Sequence, residues 1–134
     1  MSLEIESLRS IPISFASCSI GCKPDHKLQK KINALAAAGF KAIELSFPDI
    51  QTIASDHLRK QVQPNDYDDL CTAARVIKAW LDTKGMKVMM LQPFANFEGW
   101  QEGSEERKDA FSRARGWIEI MKACGTDLLQ VRIA

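Results

Sequence analysis

Three times in this chain an amphipathic helical pattern ends on a glycine, and a compact apolar strand follows within a few residues. The glycines are Gly39, Gly85 and Gly125, spaced 46 and then 40 residues apart. Behind them come Lys-Ala-Ile-Glu-Leu-Ser-Phe (41–47), Lys-Val-Met-Met-Leu-Gln (87–92) and Asp-Leu-Leu-Gln-Val (127–131). That pitch suits one βα unit with generous loops. Glycine at the helix end supplies the left-handed conformation that a residue with a Cβ adopts only at a cost. Such units build parallel sheets, and in parallel sheets chemistry sits at the carboxyl ends of the strands.

Read from the start, the pattern predicts a first strand over 13–17 after Pro12, then a loop of small residues to Cys22. A helix follows from the candidate N-cap Asp25 to Ala38, with Leu28, Ile32, Leu35 and Ala36 on one face. The second strand spans 42–47, closed by Pro48, and a short helix covers about 50–60. After the polar loop 62–67, a second main helix runs 67–84, and a third strand spans 87–92, closed by Pro93. Ser104 caps the third main helix, with Glu105 and Glu106 in its first turn and Ala110, Ala114, Trp117, Ile118 and Met121 as its buried face. A fourth strand covers 128–133.

The order is β-α-β-(α)-α-β-α-β, a single domain over 1–134 with no low-complexity segment or internal linker. Strands two to four are near-continuous apolar runs, the signature of strands covered on both faces. The expected class is α/β, built of parallel βα units. Two architectures fit: an open doubly wound sheet, or the first half of a TIM barrel, truncated after strand four. The loop after the first strand, Ser17-Cys-Ser-Ile-Gly-Cys22, is not G-x-G-x-x-G, and no Walker A sequence occurs. That balance favours the half-barrel of four strands, three main crossover helices and one short helix.

Charge narrows the function classes. The formal net charge is +1 and neither sign is gathered into blocks, so nucleic-acid and membrane-surface partners have no electrostatic support. No apolar run reaches transmembrane length, and the opening residues are too acidic and broken for a signal peptide. A cytoplasmic protein is expected.

Four cysteines and two histidines lack the spacing of a zinc site, so Cys18, Cys22, Cys71 and Cys124 are expected as buried or semi-buried free thiols. His26 and His57 read as surface residues, although His26 could face a site rim. Ser14, Ser17 and Ser19 have no evident His/Asp partners, which argues against a serine hydrolase.

Glu44 is an acid inside an apolar strand near its carboxyl end. Burying an unpaired carboxylate is costly, so a partner is implied. It either binds a substrate hydroxyl or supports a ligand, or it orders the barrel through an internal hydrogen bond; the two readings stand even. Gln92 ends the third strand and could bind a hydroxyl or carbonyl, with Phe94 and Phe97 lining the pocket mouth. Aromatic packing that anchors the loop is the alternative, favoured for Phe97 and Trp100. Glu98 reads as solvated. Arg132, near the end of the fourth strand, could meet a carboxylate or phosphate.

Ile13-Ser-Phe-Ala, Ala-Ala-Gly39-Phe-Lys-Ala-Ile-Glu44-Leu, and Leu91-Gln-Pro-Phe94 with Phe97-Glu-Gly99 resemble the xylose isomerase-like TIM barrels, the sugar phosphate isomerase/epimerase superfamily. The last segment is similar to the fungal 3-dehydroshikimate dehydratase branch. The resemblance implies the N-terminal half of an enzyme that abstracts a proton next to a carbonyl, acting on a small polar carbonyl, hydroxy-acid or sugar substrate. It also implies a divalent metal (Mg, Mn, Co or Zn) in the complete barrel, held by two glutamates, an aspartate and a histidine or glutamine on later strands. No position here matches those ligands, so neither catalytic residues nor a metal are expected in this chain alone. The ending Gln130-Val-Arg-Ile-Ala134 departs from the small-residue continuation the family leads one to expect. The second reading is a non-catalytic half-barrel that self-associates or binds a partner through open sheet edges.

Overall fold

The structure is a computed structural model that describes residues 7–8, 10–21 and 23–133. Its strands are β1 (Ser14–Ala16), β2 (Ala42–Ser46), β3 (Lys87–Ala95) and β4 (Leu129–Arg132). Its helices are α1 (Leu28–Ala37), α2 (Phe47–Leu58), α3 (Tyr67–Asp82) and α4 (Glu105–Cys124), with a 3-10 turn at Ser17–Ser19. The strands form one sheet in the order β1-β2-β3-β4, every neighbouring pair parallel. That consecutive order excludes the doubly wound sheet, whose strand order reverses at a switch point. Four strands in sequence order, alternating with helices, make a partial TIM barrel.

The glycine stops work as expected. Gly39 has φ +88, its N–H donates to Ala36 O at 3.0 Å, and the Phe40 N–H reaches back to Leu35 O at 3.0 Å. This paired arrangement satisfies the last carbonyls of α1 and turns the chain straight into β2. Gly125 (φ +78) ends α4 in the same left-handed conformation.

Alternation along the strands then sorts side chains to two faces. Ile43, Leu45, Val88 and Leu91 turn to the helix side and join one core with residues from all four helices, among them Ile32, Ile50, Ile77 and Ile120. On the opposite face Ala16, Glu44 and Met90 share one register row, and Ser46 and Gln92 the next.

Both prolines depart from their predicted roles. Pro48 does not merely end β2; it lies in the first turn of α2, where its missing N–H has no helical partner to lose. β3 runs on through Pro93 to Ala95 because β2 has already ended opposite Gln92, at Ser46. Beyond that point β3 pairs only with β4, and a register shift between Leu91 and Phe94 takes up the missing donor.

Two helix details also differ from expectation. α1 starts at Leu28, and its cap position, Lys27, makes no side-chain hydrogen bond. The chain turns first through Lys23–His26, with the His26 N–H on Lys23 O at 2.9 Å. Asp25 instead accepts from Lys30 Nζ at 3.2 Å, and that hydrogen bond holds its carboxyl below the usual value. On α4, Ile118 is 44% exposed and Ile120 takes the buried place. The buried residues Ala110, Trp117, Ile120, Met121 and Cys124 form one stripe, and Ile118 falls outside it.

Gly116 sits inside α4 for a packing reason: a Cβ there would collide with the Tyr67 ring at the start of α3. Alanine is the better helix former by about 1 kcal/mol, yet overpacking costs about 1–3 kcal/mol. Gly116→Ala is therefore expected to lower the urea midpoint, with Tyr67→Ala in the same chain recovering helix-propensity gain at position 116. An unchanged or raised midpoint for Gly116→Ala alone would show that the ring yields freely.

Candidate functional site

The site the fold makes available is the non-helical face at the carboxyl ends of the strands. Glu44 stands there half-buried in the middle of β2, flanked by fully buried Ile43 and Leu45 on the other face. Among the described residues no donor reaches its carboxylate. The partner implied by burial is thus not needed, because water reaches this face.

Gln92 lies one row above, 7% exposed, and its Nε2 donates to the Glu44 main-chain oxygen at 3.4 Å. The amide therefore ties β3 to β2, and its Oε1 keeps its acceptor capacity. Glu44 and Gln92, both singled out from the sequence, are brought together.

Phe94 is not brought to them. The Phe94 ring is buried on the helix side, 5.2 Å from Trp117 and 5.6 Å from Phe97 between centroids. Phe47 stacks on the other part of Trp117, with centroids 4.5 Å apart and planes 4° from parallel. Above Phe94 lies the Arg113 guanidinium, 5.2 Å from its centroid. Arg113 also donates to Ala95 O at 3.0 Å, to Asn96 O at 2.6 Å and to Asp109 at 2.7 Å. This cluster anchors the loop after β3 to α4, the packing role expected for Phe97. Arg132 is exposed on β4.

The loop contributes less than it first suggested. Trp100 is 42% exposed and its Nε1 donates to Asn96 O at 3.3 Å. Glu98 is half-buried and accepts from the Phe97 N–H at 3.3 Å, so it is not simply solvated.

A second polar group at the carboxyl ends was missed by the sequence reading. Ser17, fully buried after β1, donates through Oγ to Asp49 Oδ2 at 2.6 Å and accepts from the Ser46 N–H at 3.0 Å. Ser46 Oγ donates to the same Asp49 oxygen at 2.9 Å and accepts from the Asp49 N–H at 3.3 Å, capping α2. Lys31 of α1 closes the group, with Nζ 2.8 Å from Ser17 O and 3.3 Å from Asp49 Oδ1. The Lys31 and Asp49 side chains are only 11% and 17% exposed. Ser17 thus does have an acidic partner, contrary to expectation, but the group contains no histidine and works as a clamp. The signal was available: Ser46-Phe-Pro-Asp49 is a capping pattern with a proline in the first turn.

The remaining candidates separate. His57 is exposed, as expected. His26 is half-buried, 3.9 Å from Asp25, with Gly21 packed against its ring. Cys18, expected at least half-buried, is exposed on the 3-10 turn; Cys71 and Cys124 are buried free thiols, and Cys22 lies outside the described residues. Burial pushes the Cys71 thiol up, and pushes Cys124 up to about 11. Ser14 Oγ is buried without a hydrogen-bond partner among the described residues. No three His, Cys, Asp or Glu side chains among the described residues converge as metal ligands. No helix among them is long and apolar enough to cross a membrane.

Comparison with known proteins adds the following. The family described as xylose isomerase-like TIM barrel matches residues 32–133. A 3-dehydroshikimate dehydratase of Neurospora crassa is 27% identical over 122 residues, covering 89% of this chain and 34% of that protein. A 3-dehydroshikimate dehydratase of Pseudomonas aeruginosa is 30% identical over 104 residues, 78% of this chain and 13% of that one. Among solved structures, a xylose isomerase-like TIM barrel/4-hydroxyphenylpyruvate dioxygenase fusion protein superposes with a TM-score of 0.60 at 25% identity, covering 88% of this chain and 15% of the fusion. The chain spans about a third of the fungal relative and a smaller share of the other two.

Two outcomes follow from this geometry. Lys31→Met leaves the Asp49 carboxylate largely buried without its cation, and is expected to cost about 3 kcal/mol in chemical denaturation; a loss within error of zero would show the clamp is idle. Cys124 is protonated in the folded state up to about pH 11, against an unfolded value near 9. Between those values the unfolded chain loses its proton first, so stability falls as pH rises through that window. Cys124→Ala should flatten that part of the pH–stability curve, and mass-mapped alkylation of the native protein at pH 8 should modify Cys18 before Cys71 or Cys124.

Proposed function

Because this chain belongs to the xylose isomerase-like TIM barrel family, we propose that it forms the N-terminal half of a metal-dependent isomerase- or dehydratase-type barrel and supplies part of its substrate-facing wall. The observation that carries the reading is the pairing of Glu44 and Gln92 in adjacent strands, on the face away from the helices and towards the strand ends. A carboxyl group open to water on one side accepts a substrate hydroxyl well, and the adjacent Gln92 carbonyl offers a second acceptor. Two acceptors on one rigid sheet suit a small polyhydroxylated carbonyl acid. The resemblance to 3-dehydroshikimate dehydratases makes 3-dehydroshikimate the substrate to try first.

The chemistry of such a substrate is removal of a proton next to a carbonyl, followed by loss of a hydroxyl group as water. In this reading Glu44 and Gln92 orient the substrate and do not move the proton. The family is typically metal-dependent, but the side chains brought together among the described residues do not fit a metal. The ligands and the base belong to the other half of the barrel. Phe94 acts at one remove, by holding the loop after β3 against α4.

The test uses the 134-residue chain and a chimera that joins it to the remaining barrel of the Neurospora relative, both assayed with Mg2+ or Mn2+. The short chain is expected to leave 3-dehydroshikimate unchanged and the chimera to convert it. In the chimera, Glu44→Gln should lower kcat/KM by roughly 10- to 100-fold, the worth of a hydrogen bond to a charged group. Turnover by the short chain, or wild-type kinetics for Glu44→Gln, would sink the proposal.

A further inference from the structure

β3 turns Val88, Leu91 and Phe94 to the helices, although the three stand three residues apart. Regular alternation would send Leu91 to the opposite face from the other two. The pairing with β2 shows how the first interval is reconciled: Ile43 is opposite Val88, but Glu44 is opposite Met90. One residue, Met89, is surplus to the ladder and bulges from it, with its side chain 37% exposed. Were β3 to pair straight through, Leu91 would turn to the open face and Gln92 into the core.

Burial of Val88 and Leu91 requires one surplus residue between them, and by itself it does not choose between Met89 and Met90. A bulged residue leaves the ladder, so its main-chain groups need another partner. Met89 has one: its carbonyl accepts from Thr126 Oγ1 at 2.8 Å, and the same hydroxyl accepts from the Leu128 N–H at 3.3 Å. Thr126 is itself fixed by the end of α4, where its N–H donates to Met121 O at 3.0 Å just past Gly125. Leu128 O then takes the Leu91 N–H at 3.0 Å and joins the chain to β3 beyond the bulge.

We propose that Thr126 is a positioning residue for the Glu44 and Gln92 wall. It holds the surplus of β3 at Met89, which leaves Met90 in the Glu44 row and sets the Gln92 amide on the Glu44 carbonyl. Its use rests on the substrate-facing reading of that face, but the placement is read without substrate and so stands or falls apart from turnover by the chimera.

The readout is hydrogen exchange at the Gln92 side-chain amide of the 134-residue chain, followed by NMR. The main-chain amides of Ile77 and Ile120, in the helices, report global opening. Thr126→Val keeps the shape of the side chain and removes its hydroxyl. It should speed Gln92 exchange about tenfold, the worth of one hydrogen bond, with Ile77 and Ile120 unchanged. Thr126→Ser keeps the hydroxyl and should keep the wild-type rate. Deleting Met89 removes the surplus, so in that chain Thr126→Val should change nothing at Gln92. If the deletion does not fold, methionine methyl signals decide: Glu44→Gln should shift Met90 and not Met89 in the wild type, and both once Thr126→Val is added. Gln92 exchange indifferent to Thr126→Val, exchange rising equally at all three amides, or no rescue by serine would overturn the proposal. The same Thr126→Val effect without Met89, or a wild-type Met89 methyl that responds to Glu44→Gln, overturns it equally.

Discussion

The parallel pairing of consecutive strands is the constraint from which the other features descend. A strand can run parallel to its predecessor only if the chain crosses back over the sheet, and here each crossing is made by helix. The helices bury Ile43, Leu45, Val88 and Leu91 from one side. Alternation then forces Glu44, Met90 and Gln92 to the other side, whatever their polarity. A half-buried acid in an apolar strand is thus tolerated because its face stays open to water, and it becomes the sharpest chemical feature on that face.

Two polar clusters hold the carboxyl ends in place, and they act on different layers. The Ser17–Ser46–Asp49–Lys31 group joins the end of β1, the start of α2 and the body of α1. Arg113, through Ala95, Asn96 and Asp109, joins the end of β3 to α4. Beneath Arg113, the Phe94, Trp117 and Phe47 rings extend the same tie into the core. A rim tied at two points in this way gives the open wall a defined shape.

Local patterns carried far in this protein where one physical cause dominated. Glycine in the left-handed region stopped α1 and α4 where predicted, and Ser104 capped α4 with Oγ accepting the Arg107 N–H at 3.2 Å. Local reading failed where two causes competed. Pro93 reads as a terminator, yet β3 continues because its neighbour β2 has ended. Ile118 and Ile120 are equally apolar, and only the seat of α4 against α3 decides between them. Asp25 is a good cap by type, but a turn and Lys30 engage it first.

What the sequence determined by itself is the order of elements, their parallel sense and the residue types at the strand ends, because helix caps, periodicity and glycine stops are local. Glu44 and Gln92 were legible for that reason. Which of the strand-end residues meet was decided only by tertiary structure. Register placed Gln92 on the Glu44 carbonyl, burial against Trp117 drew Phe94 to the helix layer, and Lys31 and Asp49 found each other across 18 residues. Contacts between distant positions depend on how helices pack on a curved sheet, and no local pattern encodes that.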